Sequence, residues 1–204
     1  MKNLLILFFV AITSFSTASF SAEGSQKYVQ ISNQKQTESD KIIIYEFFWY
    51  GCPHCYNLEP TMDRIESSLG KDTVLIKIPV ALRDTWEAHA KAYYALQQMK
   101  LDDDLHEKVF TEIHINNNRL DTKEKLEQFI QEEGFNSKRF SEIFDSFGTD
   151  LRVKKASRLA NQYQITSVPT LIINGKYKTS GSLVSSYDEL YDVVQLLIDK
   201  ERIN

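Results

Sequence analysis

The chain has 204 residues, of which 42% are hydrophobic and 12% aromatic, enough to build a core of ordinary size. Its 24 basic and 28 acidic side chains give a net charge of −4, which argues against a nucleic acid or an anionic membrane surface as the main partner. Only two cysteines are present, so a scaffold of several structural disulfides is excluded.

The first residues have the pattern of a secretory signal. Lys2 supplies the positive start, an apolar run at residues 4–12 follows, and small residues come next. We expect a signal peptide at residues 1–22, with cleavage after Ala18 or Ala22. An uncleaved membrane anchor is the alternative, but the apolar run is short for a membrane span. We therefore expect export into a compartment where disulfides persist.

The first predicted elements are strands on either side of a cysteine motif. We expect a short edge strand at residues 28–31, within a polar leader, and a central strand at residues 42–50. The second segment is an almost unbroken run of β-branched and aromatic side chains, typical of a strand buried on both faces. A helix should begin at Pro53, because proline is tolerated in the first helical turn, and continue to about Leu69. A further strand is predicted at residues 74–80.

The middle of the chain has the spacing of amphipathic helices rather than of strands. Four helices are predicted there, namely residues 84–99, residues 105–113, a segment from the capping box of Asp121 and Glu124 to Gly134, and residues 140–147 up to Gly148. Because strand signals lie on both sides, we expect an all-helical insertion at residues 82–150 rather than a tandem domain. The flanking residues 23–81 and 151–204 should then form one α/β domain.

The last part of the chain returns to mixed structure. A helix is predicted at residues 151–163, followed by strands at residues 170–173 and 176–179. Asn174-Gly175 between them is the strongest two-residue signal for a β-hairpin. An amphipathic helix closes the chain, with a capping box that begins at Ser186.

The cysteine motif carries the clearest chemistry, since Cys52 and Cys55 enclose only Pro53 and His54. A structural disulfide gains most from closing a long loop, and two cysteines are too few for a four-ligand zinc site without histidine help. A C-x-x-C pair opens and closes reversibly, so it predicts a redox site. At the N-terminus of a helix, Cys52 should be the exposed nucleophile with a lowered pKa, and Cys55 the shielded resolving thiol.

Two further side chains near the motif suggest proton chemistry. His54 is expected to stabilise the Cys52 thiolate, although a tolerated turn residue is the alternative. Glu46 interrupts an apolar strand, where burial of a carboxylate is costly. We interpret it as a buried acid that exchanges a proton with Cys55, with Lys77 on the neighbouring strand as its partner. A strand face that reaches solvent is the alternative.

The other histidines, His89, His106 and His114, lie on predicted helices without the spacing of metal ligands. Packing is favoured for them over metal binding, and we expect no metal or other cofactor. Val168-Pro169 precedes the hairpin strand, which is an ordinary place for a proline. Most X–Pro bonds are trans, and the residues alone do not decide this one.

Residues 46–56, Glu-Phe-Phe-Trp-Tyr-Gly-Cys-Pro-His-Cys-Tyr, resemble the active-site segment of the DsbA family of bacterial thiol:disulfide oxidoreductases. Residues 166–170 resemble the cis-proline loop of that family, and residues 173–177 resemble the hairpin after it. The resemblance implies a thioredoxin fold interrupted by a helical domain. It also implies that Pro169 is cis and that Val168-Pro169 lies against the first cysteine, where its backbone would bind substrate.

The resemblance carries further expectations about function. By position, Glu46 and Lys77 match the buried acid–lysine pair of the family. Periplasmic oxidation of newly exported, unfolded proteins is implied, by donation of a Cys52–Cys55 disulfide. Reoxidation by a quinone-linked membrane partner of the DsbB type is implied as well.

Other functions remain open at this point. A disulfide isomerase or reductase, a metal-binding C-x-x-C module and a peptide-binding holdase could each carry such a motif. The known dimeric isomerases have an extra N-terminal dimerisation region, for which the short leader before Tyr28 leaves no room. We therefore expect an oxidase that acts as a monomer.

Overall fold

The computed structural model describes residues 26–32 and 40–203. The strands of this part are β1 (Val29–Gln30), β2 (Ile42–Phe48), β3 (Thr73–Pro79), β4 (Thr170–Ile173) and β5 (Tyr177–Thr179). The helices are α1 (Pro53–Ser68), α2 (Glu87–Met99), α3 (Asp102–His114), α4 (Lys123–Glu132), α5 (Ser137–Phe144), α6 (Phe147–Gln162) and α7 (Tyr187–Ile203), with short 3₁₀ turns at Asp84–Trp86 and Gly181–Leu183.

The N-terminal expectations fall largely outside these residues. The signal peptide expected at residues 1–22 lies entirely in the part that is not described. Among the described helices, none combines the length and the apolar character needed to cross a membrane.

The strands form one mixed sheet in the order β1-β5-β4-β2-β3. β2 is parallel to β3 on one side and antiparallel to β4 on the other, so both of its edges are paired. Its side chains Ile44, Phe47 and Phe48 are completely buried, which confirms the predicted central strand. The predicted edge strand is confirmed too, because β1 pairs only with β5 among the described strands.

The hairpin between β4 and β5 forms where the sequence predicts it. Asn174 and Gly175 both adopt positive φ angles, of 49° and 67°. A type I′ turn requires this conformation at both central residues, and asparagine and glycine adopt it at the lowest cost. The turn fixes the register of β4, whose preceding loop carries Val168-Pro169.

Helices cover the sheet through two hydrophobic clusters. One cluster joins α1 and α7 to the sheet through side chains such as Leu58, Met62 and Val194. The other joins the helices between β3 and β4 to the sheet through side chains that include Phe48 and Phe110. Burial of such side chains contributes about 1.5–3 kcal/mol each, so the inserted helices are anchored firmly beside the end of β2.

One predicted helix boundary is wrong. Gly148 does not end a helix, because α5 already ends at Phe144 and Gly148 lies in the first turn of α6. The Oγ of Ser146 accepts a hydrogen bond from the N–H of Thr149 at 3.2 Å and so caps α6. Glycine is a stop signal only after the last turn, and the serine cap decides that a new helix starts here. The continuous helix α6 therefore runs across the domain boundary expected between residues 150 and 151.

Candidate active site

The cysteine motif lies where β2 leads into α1. Cys52 is the N-cap of α1 and Pro53 occupies the first helical position, where its missing N–H costs nothing. The N–H groups of Cys55 and Tyr56 donate to the carbonyl oxygen of Cys52 at 3.0 and 3.1 Å, which closes the first turn. Both cysteines are free thiols in this structure. The Cys52 side chain thus lies at the positive end of the helix dipole.

Cys52 is less exposed than the sequence led us to expect. Its residue surface is 7% exposed, against 0% for Cys55, so both thiols are buried but only the first borders solvent. The reason is the loop before β4: the Sγ of Cys52 lies 3.5 Å from the carbonyl oxygen of Val168. The Val168-Pro169 bond is cis, and the contact of the Val168 carbonyl with Cys52 places the loop against the cysteine, both as the resemblance implied.

The two thiols have opposite pKa shifts. A hydrogen bond from the Cys55 thiol is the largest cause that lowers the pKa of Cys52, to about 6, against the opposing effect of burial. The backbone N–H groups of Cys55 and His54, and the charge of His54, lower it further. Burial raises the pKa of the Cys55 thiol far above its ordinary value, and the neighbouring Cys52 adds to this. At neutral pH the reduced site therefore holds one thiolate, on Cys52, and one thiol, on Cys55.

His54 lies on the solvent side of the site. Its side chain is exposed, and its carbonyl oxygen accepts a hydrogen bond from the hydroxyl of Tyr187 on α7 at 3.1 Å. The backbone of the motif is thereby tied to the last helix. A cavity of about 450 Å³ opens beside it, lined by the cis-proline loop, by Tyr187 and by the serine-rich segment between β5 and α7.

Glu46 lies in the middle of β2 and is completely buried. Neither carboxyl oxygen has a hydrogen-bond partner among the described residues. Burial raises the pKa of Glu46 to about 8, although the charge of Lys77 opposes the shift. The charge of Glu46 contributes to the raised pKa of Cys55, which places the carboxyl group within electrostatic reach of the inner thiol. Glu46 is therefore a protonated acid through most of the neutral range.

Lys77 is the neighbour of Glu46 in the sheet, since the two residues are register partners across β2 and β3. Its ammonium group, however, bonds Glu59 on α1, with Nζ 2.7 Å from Oε2. The sequence predicts the strand neighbour of Glu46 but not the contact with Glu59. The available signal was the spacing of Glu59 four residues after Cys55, which puts a carboxylate on the inward face of α1.

His106 on α3 completes a buried polar cluster. Its Nε2 atom lies 3.0 Å from Nζ of Lys77 and 3.1 Å from Oε2 of Glu59. Its Nδ1 atom lies 2.8 Å from the hydroxyl oxygen of Tyr50. The sequence favours a packing role for His106, because nothing in the local pattern shows that α3 meets α1 and β3 at this point.

The charges within this cluster follow from burial and contacts. Burial alone would raise the pKa of Glu59, but its contacts with His106 and Lys77 bring it below its ordinary value. Burial lowers the pKa of His106, so the imidazole is neutral at pH 7, and the lone pair of Nε2 can accept from the ammonium group of Lys77. Burial disfavours the charge of Lys77, but Glu46 and Glu59 outweigh it and raise the lysine pKa. The cluster thus holds a Lys77–Glu59 ion pair beside a neutral imidazole.

A larger cavity, of about 730 Å³, gives this cluster access to water. Glu59, Lys77 and His106 line it, together with acidic side chains of α1 and α3. Within the described part of the chain, no group of three or more histidine, cysteine, aspartate or glutamate side chains could hold a metal ion. The other two helical histidines bond backbone carbonyls: His89 that of Arg119, and His114 that of Tyr50.

Comparison with known proteins identifies the family. The description “DSBA-like thioredoxin domain” belongs to the family model that matches residues 77–193. Thiol:disulfide interchange protein DsbA of Pseudomonas aeruginosa is 32% identical over 206 residues, 99% of this chain and 98% of that protein. Its namesake in Pseudomonas syringae is 33% identical over 207 residues, 99% of this chain and 97% of that protein. The chain belongs to the DsbA-like thioredoxin family.

Solved structures agree with this assignment. A crystal structure of Pseudomonas aeruginosa DsbA superposes with a TM-score of 0.83 at 33% identity, covering 87% of this chain and 93% of that one. The oxidoreductase NmDsbA1 of Neisseria meningitidis gives 0.77 at 26% identity, covering 88% and 93%. The expected thioredoxin fold with a helical insertion is confirmed, and so is the expected class of thiol:disulfide oxidoreductase. The family model begins after the cysteine motif, which is covered instead by the full-length relatives.

Proposed function

We propose that this DsbA-like protein oxidises cysteine pairs of newly exported proteins by donating a Cys52–Cys55 disulfide. The observation that carries the proposal is the placement of the two thiols: Cys52 caps α1 at the border with solvent, where its pKa is lowered to about 6, and Cys55 is completely buried, which raises its pKa. A stabilised thiolate favours the reduced form, and a disulfide whose reduced form is stabilised is a strong oxidant. The geometry thus supports a donor of disulfides.

The reaction would follow from the position of each thiol. A substrate thiolate attacks Sγ of Cys52, the Cys52–Cys55 bond breaks, and its electron pair goes to Sγ of Cys55. The second substrate thiolate then attacks the substrate sulfur of the mixed disulfide, which releases Cys52 as a thiolate. Two electrons pass from the substrate to the protein. The cysteine that borders solvent is thereby the attacked one.

The inner thiol needs a proton in the first step, because burial strongly disfavours its thiolate. We assign this proton to Glu46, which is buried, lacks hydrogen-bond partners among the described residues and acts electrostatically on Cys55. The proton passes from the carboxyl group to Sγ of Cys55, and a carboxylate remains. Lys77 lies beside it on β3 and stabilises that charge.

Substrate is proposed to bind along the loop of Val168 and Pro169. The Val168 carbonyl faces the sulfur of Cys52, and an extended chain could pair with this backbone as an added strand. The adjoining cavity of about 450 Å³ offers room for a side chain beside His54. Recognition through backbone suits an enzyme whose unfolded substrates share no sequence.

We place the protein in the periplasm, acting as a monomer. The sequence pattern of residues 1–22 supports this location, and the thiol:disulfide interchange in the names of the relatives fits a compartment where disulfides persist. Each turnover leaves the cysteines reduced, so an oxidant must restore the disulfide. We propose a quinone-linked membrane protein of the DsbB type, which would exchange disulfides with Cys52 and Cys55.

The test is oxidation of a reduced dithiol peptide by the purified, oxidised protein. We expect one disulfide to form per molecule, and equilibration with glutathione to show a disulfide that glutathione reduces readily. The Cys52→Ser variant is the matched control. If the protein rearranged scrambled disulfides but did not oxidise the dithiol peptide, it would be an isomerase and the proposal would be wrong.

A further inference from the structure

Lys77 stands between two carboxyl groups and is bonded to only one of them. Glu46 is its register partner on the adjacent strand, yet both carboxyl oxygens of Glu46 lack hydrogen-bond partners among the described residues. Glu59, on the helix above, takes the ammonium group at 2.7 Å. Burying a carboxyl group without partners is costly, so something must keep the lysine turned away from Glu46.

His106 is placed to do this. Its Nε2 atom completes a triangle with Nζ of Lys77 and Oε2 of Glu59, whose sides are 2.7, 3.0 and 3.1 Å. The ammonium group has three N–H donors, and a neutral imidazole nitrogen can accept one of them. Two acceptors on the same side of Lys77 therefore fix its position on the side of α1 and α3.

The imidazole is itself held in place. Its Nδ1 atom lies 2.8 Å from the hydroxyl oxygen of Tyr50, and its ring is enclosed edge-on by Phe48, Tyr93 and Phe110. His106 belongs to α3, an element of the inserted helices, whereas Lys77 and Glu46 belong to the sheet. The insertion thus reaches into the charge cluster behind the cysteines through this side chain.

We propose that His106 is a positioning residue that holds the Lys77 ammonium group against Glu59 and away from Glu46, so that Glu46 stays protonated and able to supply the proton for Cys55. The inference rests on the proposed role of Glu46 in the first exchange step. An ammonium group bonded to Glu46 would favour its carboxylate form and remove the acid. The insertion would in this way control the proton chemistry of the thioredoxin-like part.

Other ionisable groups also affect whether Glu46 is protonated. The groups that act on Glu46 are Lys77 of β3 and Glu59, Asp63 and Glu66 of α1. The groups around His106 are Tyr50 before α1, Glu59 and Asp63 of α1, Lys77 of β3 and Tyr93 of α2. The carboxylates of α1 disfavour ionisation of Glu46 to the same extent in the wild type and in a His106 variant. A change at His106 therefore affects Glu46 through the position of Lys77.

The experiment follows the ionisation of Glu46 directly. The carbonyl stretch of a protonated carboxyl group, identified as the infrared band that Glu46→Gln lacks, is titrated with pH in the reduced protein. In His106→Phe the ammonium group keeps Glu59 but loses its second acceptor, so it can move towards Glu46, and we expect the midpoint to fall by about one to three pH units, as for a carboxyl group that gains a cationic neighbour. In His106→Gln, whose amide oxygen can accept from Lys77, we expect the midpoint to return towards that of the wild type.

A second measurement links this shift to the reaction. The rate at which a small thiol attacks the oxidised protein is measured against pH and divided by the fraction of that thiol present as thiolate. This rate should fall as Glu46 loses its proton. In His106→Phe the fall should occur at a lower pH than in the wild type, in line with the infrared midpoint. His114→Phe is the matched control, because His114 lies on the same helix and bonds the Tyr50 carbonyl but is not among the partners of Lys77 or Glu59. Thermal melting checks that each variant folds.

The outcomes separate this inference from the proposed function. An unchanged infrared midpoint in folded His106→Phe, or an equal shift in His114→Phe, would overturn the positioning role while leaving dithiol oxidation intact. The positioning role would also be overturned if His106→Phe still changed the rate in the Glu46→Gln background. In that background there is no acid at position 46 for His106 to keep protonated. Loss of the proposed function itself would appear instead as wild-type protein that fails to oxidise the dithiol peptide.

Discussion

The surroundings of the two thiols differ more than their separation in the sequence suggests. Cys52 lies among groups of its own helical turn, namely backbone N–H donors, the thiol of Cys55 and the exposed His54, and its pKa is lowered to about 6. Cys55, three residues later, lies against the buried side of the sheet near Glu46, and its pKa is raised. Two thiols one helical turn apart thus differ in that the first is stabilised as a thiolate and the second as a thiol.

This difference gives the two sides of the site separate tasks in disulfide exchange. The outer side is built from local backbone, so it can hold negative charge without a distant partner. The inner side holds the proton, and for this it draws on three separate elements of the fold: Glu46 from β2, Lys77 from β3 and His106 from α3. The following variants test each side in turn.

The largest effect is expected from the cysteines themselves. Cys52→Ser should abolish oxidation of dithiol substrates, because the attacked sulfur is gone. Cys55→Ser should instead accumulate mixed disulfides with oxidised substrates, because its Cys52 thiolate attacks a substrate disulfide and no neighbouring thiol is left to displace the bound chain. Non-reducing gels and mass spectrometry of captured substrates measure both results. Mixed disulfides that form in Cys52→Ser but not in Cys55→Ser would reverse the two roles.

Loss of the inner acid should slow the step that releases Cys55. In Glu46→Gln we expect attack on the disulfide by a small thiol to slow by about 10²-fold near neutral pH, the lower end of typical general-acid effects. Stopped-flow kinetics measure the rate, and the pKa of Cys52 serves as the internal control, because it should not change appreciably. A rate equal to that of the wild type would show that Cys55 takes its proton from elsewhere.

The same variant should change how stability depends on pH. The folded protein raises the pKa of Glu46 from 4.5 to about 8, so between these values the folded state binds more protons than the unfolded state. Stability should therefore fall as pH rises through this window, by at most about 1.4 kcal/mol per pH unit. Denaturant unfolding at several pH values measures the slope. Glu46→Gln should remove this contribution, and an unchanged slope would contradict a raised pKa.

The smallest effects concern the outer thiolate. Cys55→Ala should raise the pKa of Cys52 clearly, because the hydrogen bond from Cys55 is the largest cause of its lowering. His54→Ser should raise it less, by about one unit or below, since the backbone N–H of residue 54 remains and only a more distant side-chain charge is lost. Thiolate absorbance against pH measures both. A larger shift in His54→Ser than in Cys55→Ala would place the main cause in the histidine.

Much of the fold could be predicted because its signals are local. The apolar run of β2, the Asn174-Gly175 turn and the proline at the start of α1 each fix their own few residues. Predictions failed where two local signals competed, as at Gly148, which looks like a helix stop but follows the serine cap of α6. The register of β2 with β3, which makes Glu46 and Lys77 neighbours, depends on pairing that the pattern only suggests.

The residues around the two cysteines are enough to specify the reactive half of the site. Two cysteines around Pro53 and His54 at a helix start dictate a thiolate on Cys52, because the dipole and the free N–H groups belong to the same turn. The other half of the site depends on the packing of distant elements. Glu59 and His106 lie far from Glu46 along the chain, and their contacts with Lys77 exist because packing brings α1, β3 and α3 together. Spacing can place Glu59 on the inward face of α1, but which side chains it meets there depends on that packing.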